Sequence, residues 1–323
     1  GVHLFFVLSG YLITRILLRV RQASSRFGGL RAFYARRALR IFPAYYLWVA
    51  FAVATVPEVR ATWPWHVGYL SNFLFYDQAQ WAGPVSHWWS LAVEEQFYLV
   101  WPLAVIFAPR PLLLPLACVG IGMAAPVRAA LTAAGHPLAF VGILTPAVLD
   151  CLGLGSLLGL IADASPSERR LLIGGGALAL VVSLALSLVL WPMSVAIPAL
   201  SQTAVATLFA AIVWSATRGV PGPFGTLLEW APVQYLGRIS YGFYLSHNFA
   251  SFLLGLAHVD LLGHRQVVQL GLLFVTALVP AVLSWHLMER PLNDLKRFFP
   301  YERRADARPT PNTAIAGPAG MLG

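Results

Sequence analysis

Nine stretches of this chain are each long and apolar enough to cross a lipid bilayer, and this constrains the fold more than any other feature. A spanning helix needs about 20 mostly apolar residues. The stretches run approximately over 2–18, 41–57, 88–108, 112–131, 144–162, 171–191, 198–216, 235–256 and 266–288. Only 11% of the 323 residues are charged, less than half the ~25% of an average soluble domain. Hydrophobic residues make up 58%, and mean hydropathy is +0.70. So few charges cannot cover so much apolar surface in water, and the same composition excludes a disordered chain. Within lipid each segment must pair its own backbone polar groups, which for these lengths means helices. The expected fold is all-α: a polytopic transmembrane helical bundle with nine spanning helices. A further apolar stretch, 64–76, is shorter and carries Pro64, His66 and Asn72. It reads as a re-entrant or interfacial segment.

The formal charge is +9, and every basic residue but Lys296 is Arg. In a soluble chain that excess would suggest nucleic acid; here it reports topology, and no nucleic-acid partner is expected. When the helices alternate, eighteen basic residues fall on one side and three, Arg60, Arg128 and Arg265, on the other. Basic residues collect in cytoplasmic loops, so 19–40 and the C-terminus are expected inside and 58–86 outside. The expected location is thus the cell (inner or plasma) membrane, as a multi-pass protein. Gly1 then lies outside, with no signal-peptide pattern at the start, an orientation that calls for an earlier outward-running helix. Ten helices are expected in the intact protein. Residues 1–292 form the membrane domain, and 293–323, mixing Pro, Arg, Ala and Gly, a cytoplasmic tail expected to be disordered. Cys118 and Cys151 sit in apolar segments and read as buried small residues, with no metal-ligand spacing.

Polar groups inside a bilayer are costly, so each raises a functional question. The densest run is His87-Trp88-Trp89-Ser90-Leu91-Ala92-Val93-Glu94-Glu95-Gln96-Phe97-Tyr98. His87, Ser90 and Glu94 recur at i, i+3 and i+7 and share a helix face. That face can line an aqueous cavity, where a carboxylate orients an imidazole or binds sugar hydroxyls; the alternative is a polar cap at the interface. Glu95 lies about 100° away, on the face of Leu91 and Tyr98, which suits structure or acceptor binding. Arg36, Arg37 and Arg40 place a guanidinium cluster at the cytoplasmic end of the second helix. Such forks suit phosphate oxygens; on charge alone, an anchor to lipid head groups is the simpler reading. Ser240, Tyr244 and His247 make a polar stripe on another helix. Asp150 reads equally as a partner for Arg128 or as part of a cavity. The pair Ser9-Gly10 permits close helix packing, and Glu289-Arg290-Pro291 closes the last helix. No phosphate-binding loop, zinc motif or nucleophile elbow is present.

In order along the chain, GVHLFFVLSGYLI (1–13), FYARRALRIFPAYY (33–46), SHWWSLAVEEQFYLVWPL (86–103), LDCLGLGSLLG (149–159), GRISYGFYLSH (237–247) and ERPL (289–292) resemble the acyltransferase 3 family of membrane-bound acyltransferases. The resemblance implies transfer of an acyl group, usually acetyl, from cytoplasmic acyl-CoA to a hydroxyl of an extracytoplasmic glycan or lipid-linked acceptor. It implies that Arg37 and Arg40, with Arg36, engage the CoA phosphates and that Glu94 and Glu95 are the family's glutamate pair. Glu94, Glu95 and His87 are the catalytic candidates. Ser90, Tyr98, Asp150, Tyr244 and His247 are the acceptor-contact candidates. The family's catalytic His belongs to a helix expected ahead of Gly1. No metal is expected, and the partners are the bilayer and the carbohydrate acceptor. The rivals are a secondary transporter with an Arg gate and a carboxylate relay, which needs inverted repeats, and a catalytically inactive membrane fragment.

Overall fold

A computed structural model describes residues 1–23, 25–162, 164–258 and 266–301. Among the described residues there is no strand. In chain order the helices are α1 (Val2–Val20), α2 (Arg26–Thr55), α3 (Pro57–Ala61), α4 (Trp63–Val67), α5 (Ser71–Gln78), α6 (Trp88–Phe107), α7 (Arg110–Ala133), α8 (Leu138–Val141), α9 (Leu149–Ala162), α10 (Pro166–Leu190), α11 (Met193–Ala216), α12 (Pro223–Glu229), α13 (Ala231–Ser246), α14 (Phe249–Leu256), α15 (Gln266–Ser284) and α16 (Arg290–Asp294). Eight helical segments among the described residues are long and apolar enough to cross a bilayer, so the chain is a multi-pass membrane protein.

The ninth expected span, 235–256, is broken. Helix α13 ends at Ser246 and α14 begins at Phe249, and neither half crosses alone. At the break, His247 Nδ1 lies 2.6 Å from the Tyr244 carbonyl and Asn248 Nδ2 donates to Ser86 Oγ at 3.1 Å. Side chains that bond locally compete with the helix ladder.

The second helix starts well before the apolar run that marks it. Ser25 caps it by accepting from Gly28 N at 2.9 Å, and its 30 residues span about 45 Å, against about 30 Å of hydrocarbon. The arginines expected at a helix end therefore lie about three turns inside a continuous helix. Apolar content marks only the lipid-embedded length, while a capped polar extension is invisible to it.

Helices α1 and α9 form the closest crossing. A Cβ on Gly10 would lie 2.3 Å from Leu152 O, and one on Gly155 would lie 2.0 Å from Val7 O. Small residues let the backbones touch, as helix pairs in lipid require. The outer helices α10 and α15 present apolar side chains outward, with Val189 and Val267 each 81% exposed, a surface suited to lipid rather than water.

The segment 64–76 forms short helices that do not span, and polar bonds clamp it to α6. Gln96 Nε2 donates to Tyr69 O at 2.8 Å and to Asn72 Oδ1 at 3.0 Å, and Thr145 donates to Gln96 Oε1. At the C-terminal end, helical structure continues past the expected boundary at 292 to Phe298. Arg36 holds it there by donating to Lys296 O at 2.9 Å and to Phe299 O at 3.2 Å. The remainder of the expected tail, 302–323, lies outside the described residues.

Candidate active site

Glu94 is the centre of the site. It is two turns into α6 and 6% exposed, inside a bundle of apolar helices. Two hydroxyls donate to its Oε1: Ser9 of α1, at 2.7 Å, and Tyr98 of its own helix. Tyr98 follows by four residues, and helical side chains lean toward the N-terminus, so its hydroxyl reaches back to Glu94. The expectation that Tyr98 accompanies Glu95 is corrected by that geometry: its i+4 relation to Glu94 outweighs its i+3 relation to Glu95. Among the described residues no hydrogen bond reaches Glu94 Oε2. The Arg37 guanidinium lies 4.8 Å from the Tyr98 ring centroid, and Arg37 and Arg40 both bear electrostatically on Glu94. A carboxylate, two hydroxyls and a cation thus converge from α1, α2 and α6.

One to two turns toward the N-terminus of α6, a second group forms. Ser90 and the Tyr244 hydroxyl share a hydrogen bond, and Tyr244 also donates to His87 O at 3.1 Å. The His87 ring packs edge-on against Tyr244 at 5.1 Å and His247 at 4.7 Å. His87 is buried, and its ring nitrogens face the Leu245 and Pro84 backbone without a well-aligned hydrogen bond. The broken helix α13–α14 is what brings Tyr244 and His247 to this place. The fold therefore unites His87, Ser90, Tyr244 and His247, with Ser90 and Tyr244 154 positions apart in sequence.

Glu95 points away from Glu94, as the helix period requires. Its Oε1 is buried without a partner, as is the hydroxyl of Tyr69, with which it interacts electrostatically. Tyr69 itself holds a left-handed backbone, with φ of 54°, a strained conformation for an aromatic residue.

The three arginines differ in role. Arg36 is committed to the 296–299 carbonyls and lies 4.9 Å over the Tyr301 ring. Arg37 packs on Phe33 and Tyr98. Arg40 is exposed and is the guanidinium best placed to take an external anion.

Asp150 is elsewhere. Its Oδ2 accepts from Arg128 Nη2 at 2.8 Å and from Thr203 Oγ1 at 2.6 Å, and its Oδ1 accepts from Cys151 N at 2.9 Å. Both Arg128 and Asp150 are fully buried. Of the two readings open from the sequence, the structure supplies the Arg128 partnership. Sequence reasoning passed over Glu289 as a helix terminus. It is buried, accepts from Ser284 Oγ at 2.7 Å, and bears electrostatically on Arg40. A π-turn over Trp285–Glu289 rotates it inward, and apolar periodicity carries no sign of that turn. Ser9, read as a packing residue, is the donor from α1.

The sequence model of a family described as "Acyltransferase domain" matches residues 1–286. YrhL of Bacillus subtilis, named provisionally as a peptidoglycan O-acetyltransferase, is 29% identical over 90% of this chain and 50% of its own length. The peptidoglycan O-acetyltransferase OatA of Listeria monocytogenes is 35% identical over 38% of this chain and 23% of its own. The O-acetyltransferase OatA of Staphylococcus aureus is 36% identical over 33% of this chain and 20% of its own. The chain thus spans half or less of the length of these relatives. No solved structure matches it.

Proposed function

The chain belongs to the acyltransferase domain family, and from that premise we propose that the intact protein moves an acetyl group from cytoplasmic acetyl-CoA to a hydroxyl of an extracytoplasmic cell-wall glycan. Similarity to proteins named for peptidoglycan O-acetylation supports the acceptor class. The observation that carries the reading is the buried Glu94 carboxylate, held by Ser9 and Tyr98 through one oxygen and left open at the other. Such an atom is suited to accept the N–H of an imidazole. The base in this reading is the histidine that the family resemblance places ahead of Gly1.

Arg37 and Arg40, on the side taken as cytoplasmic, bind the CoA phosphates through charge-assisted forks. The pantetheine arm then runs between α2 and α6 toward Glu94. The histidine removes the acceptor hydroxyl proton while Glu94 fixes its tautomer and favours its cationic form. The oxygen attacks the thioester carbonyl, the C–S bond breaks, and the departing CoA sulfur receives the proton. His87, Ser90, Tyr244 and His247 line the outer approach and contact the acceptor. Glu95 supports the outer wall.

Glu94→Gln in the full-length protein keeps the shape and removes the charge. We expect turnover to fall by roughly 10²–10⁴-fold, the scale of acid–base assistance, with acetyl-CoA affinity unchanged. The measurement is acetyl transfer to a glycan acceptor in proteoliposomes. Normal turnover in that variant would remove the chemical basis of the proposal.

A further inference from the structure

The structure holds a concavity of mixed polar and apolar lining that the chemistry above does not use. It lies past the C-terminal end of α2, against α3, α5 and the loop leading to His87, and has a volume of about 450 Å³. That size falls within the roughly 300–1,000 Å³ of small-ligand pockets. Glu58, Thr62, Gln78, Gln80 and Trp81 are its polar and aromatic lining. From Arg37 to Val56, at the cavity rim, α2 rises about 28 Å, close to the thickness of the hydrocarbon core. The cavity and the arginines therefore open at opposite membrane faces. It also stands at the outer end of α6, whose first residue, Trp88, is six residues or about 9 Å of rise from Glu94.

We infer that this cavity is a carbohydrate subsite that holds an uncharged sugar unit of the acceptor chain, flanking the unit that reacts; the inference rests on the glycan-acylation reading above. Its chemistry matches a sugar on three counts. Trp81 packs against Phe140, with centroids 4.8 Å apart, and against Phe75 at 6.0 Å, while 40% of it stays exposed. It is a braced aromatic with a free surface, suited to the apolar C–H face of a pyranose. Gln78 and Gln80 supply amide donors and acceptors for hydroxyl or N-acetyl groups, and among the described residues no side-chain hydrogen bond engages them or the Glu58 carboxylate. Among the described residues, Glu58 is the one charged side chain of the lining. The nearby Arg60 is spent on the Val53 and Ala54 carbonyls, so Glu58 accepts from sugar hydroxyls and repels an anionic sugar.

The wall behind is prearranged. Thr62 Oγ1 donates to Glu58 O at 2.8 Å and sits 3.2 Å from His66 Nε2, and His66 Nδ1 lies 2.9 Å from Ser71 Oγ. His66 stacks edge-on against Trp88 at 5.4 Å, which ties the pocket wall to the head of the helix that carries Glu94.

The test uses the full-length protein in detergent with a tetramer of β-1,4-linked N-acetylglucosamine as probe and an oligogalacturonate as the anionic counterpart. Trp81→Ala should weaken binding of the neutral probe, and raise the KM for it as acceptor, at least tenfold, with kcat and acetyl-CoA affinity unchanged. Trp81→Phe should restore most of the loss, and Glu58→Gln should raise affinity for the anionic probe. If Trp81→Ala binds and uses the neutral probe as well as the parent does, the subsite is overturned while acyl transfer stands. If the parent binds the probe in a Trp81-dependent manner but transfers no acetyl group, the transfer reading fails and the sugar site stands.

Discussion

Two buried charged regions lie in this bundle, and they are built in opposite ways. Around Arg128 and Asp150 every charged atom is satisfied. The guanidinium donates to Ala199 O, Ala147 O, Thr203 Oγ1 and Asp150, and both Asp150 oxygens accept. Around α6 the balance is left incomplete. Among the described residues, Trp88 Nε1, Glu95 Oε1 and the Tyr69 hydroxyl are buried without partners. A buried polar group left unpaired costs about 1–3 kcal/mol. The first region ties α7, α9 and α11 together; the second carries the candidate active-site residues.

The largest effect is expected where the bonding is complete. Arg128→Ala strands the Asp150 carboxylate in an apolar core, and breaking a buried pair in this way costs about 3–5 kcal/mol. The variant should be recovered in low yield and melt well below the parent in detergent. Glu95→Gln should leave the melting temperature unchanged or raise it, since it removes a charge whose oxygen has no partner. Equal destabilisation by the two variants would erase the contrast.

The contrast also marks what could be read before the structure. Apolar lengths gave the spans, because lipid enforces them residue by residue, and the i, i+3, i+7 relation placed His87, Ser90 and Glu94 on one inward face. The helical period likewise separated Glu94 from Glu95. What stayed hidden was non-local. Nothing in the sequence joins Ser9 to Glu94 across 85 positions or Tyr244 to Ser90 across 154. The break at His247–Asn248 was masked by apolar residues on both sides of it. Glu289 escaped because a π-turn alters the period on which the reading depends. Asp150 remained ambiguous since its partner is set by how α7 crosses α9.

A smaller effect separates the donor reading of the arginines from membrane anchoring. Arg36 is held by carbonyls, whereas Arg40 is exposed. Arg40→Lys keeps the charge, so a lipid anchor would be indifferent to it. A phosphate fork would not, because an ammonium cannot make the paired in-plane contacts of a guanidinium. Losing one charge-assisted contact costs about 1.5–3 kcal/mol, which predicts acetyl-CoA affinity weakened by roughly ten- to a hundredfold. Unchanged affinity in both Arg40→Lys and Arg40→Ala would leave the arginines as anchors and move the donor site elsewhere.

The smallest effect tests whether the wall of the Trp81 pocket belongs with the saturated region or with the open one. Both His66 ring nitrogens have partners, Thr62 and Ser71, so it resembles the Arg128 site rather than Glu95. Burial holds its pKa down at about 4, against 6.5 for a free imidazole, and no charged neighbour contributes. The unfolded chain therefore binds a proton through pH 6.5 to 4 that the folded chain refuses. Stability falls as pH drops through that window and levels off below it. Between pH 7 and pH 5.5 the loss is about 1 kcal/mol, or about 2 °C in melting temperature. His66→Asn should lower stability at pH 7 and remove this increment of acid sensitivity. If His66→Asn melts with the same difference between pH 7 and pH 5.5 as the parent, the acid sensitivity lies in other groups, and the pocket wall is not held by a neutral imidazole.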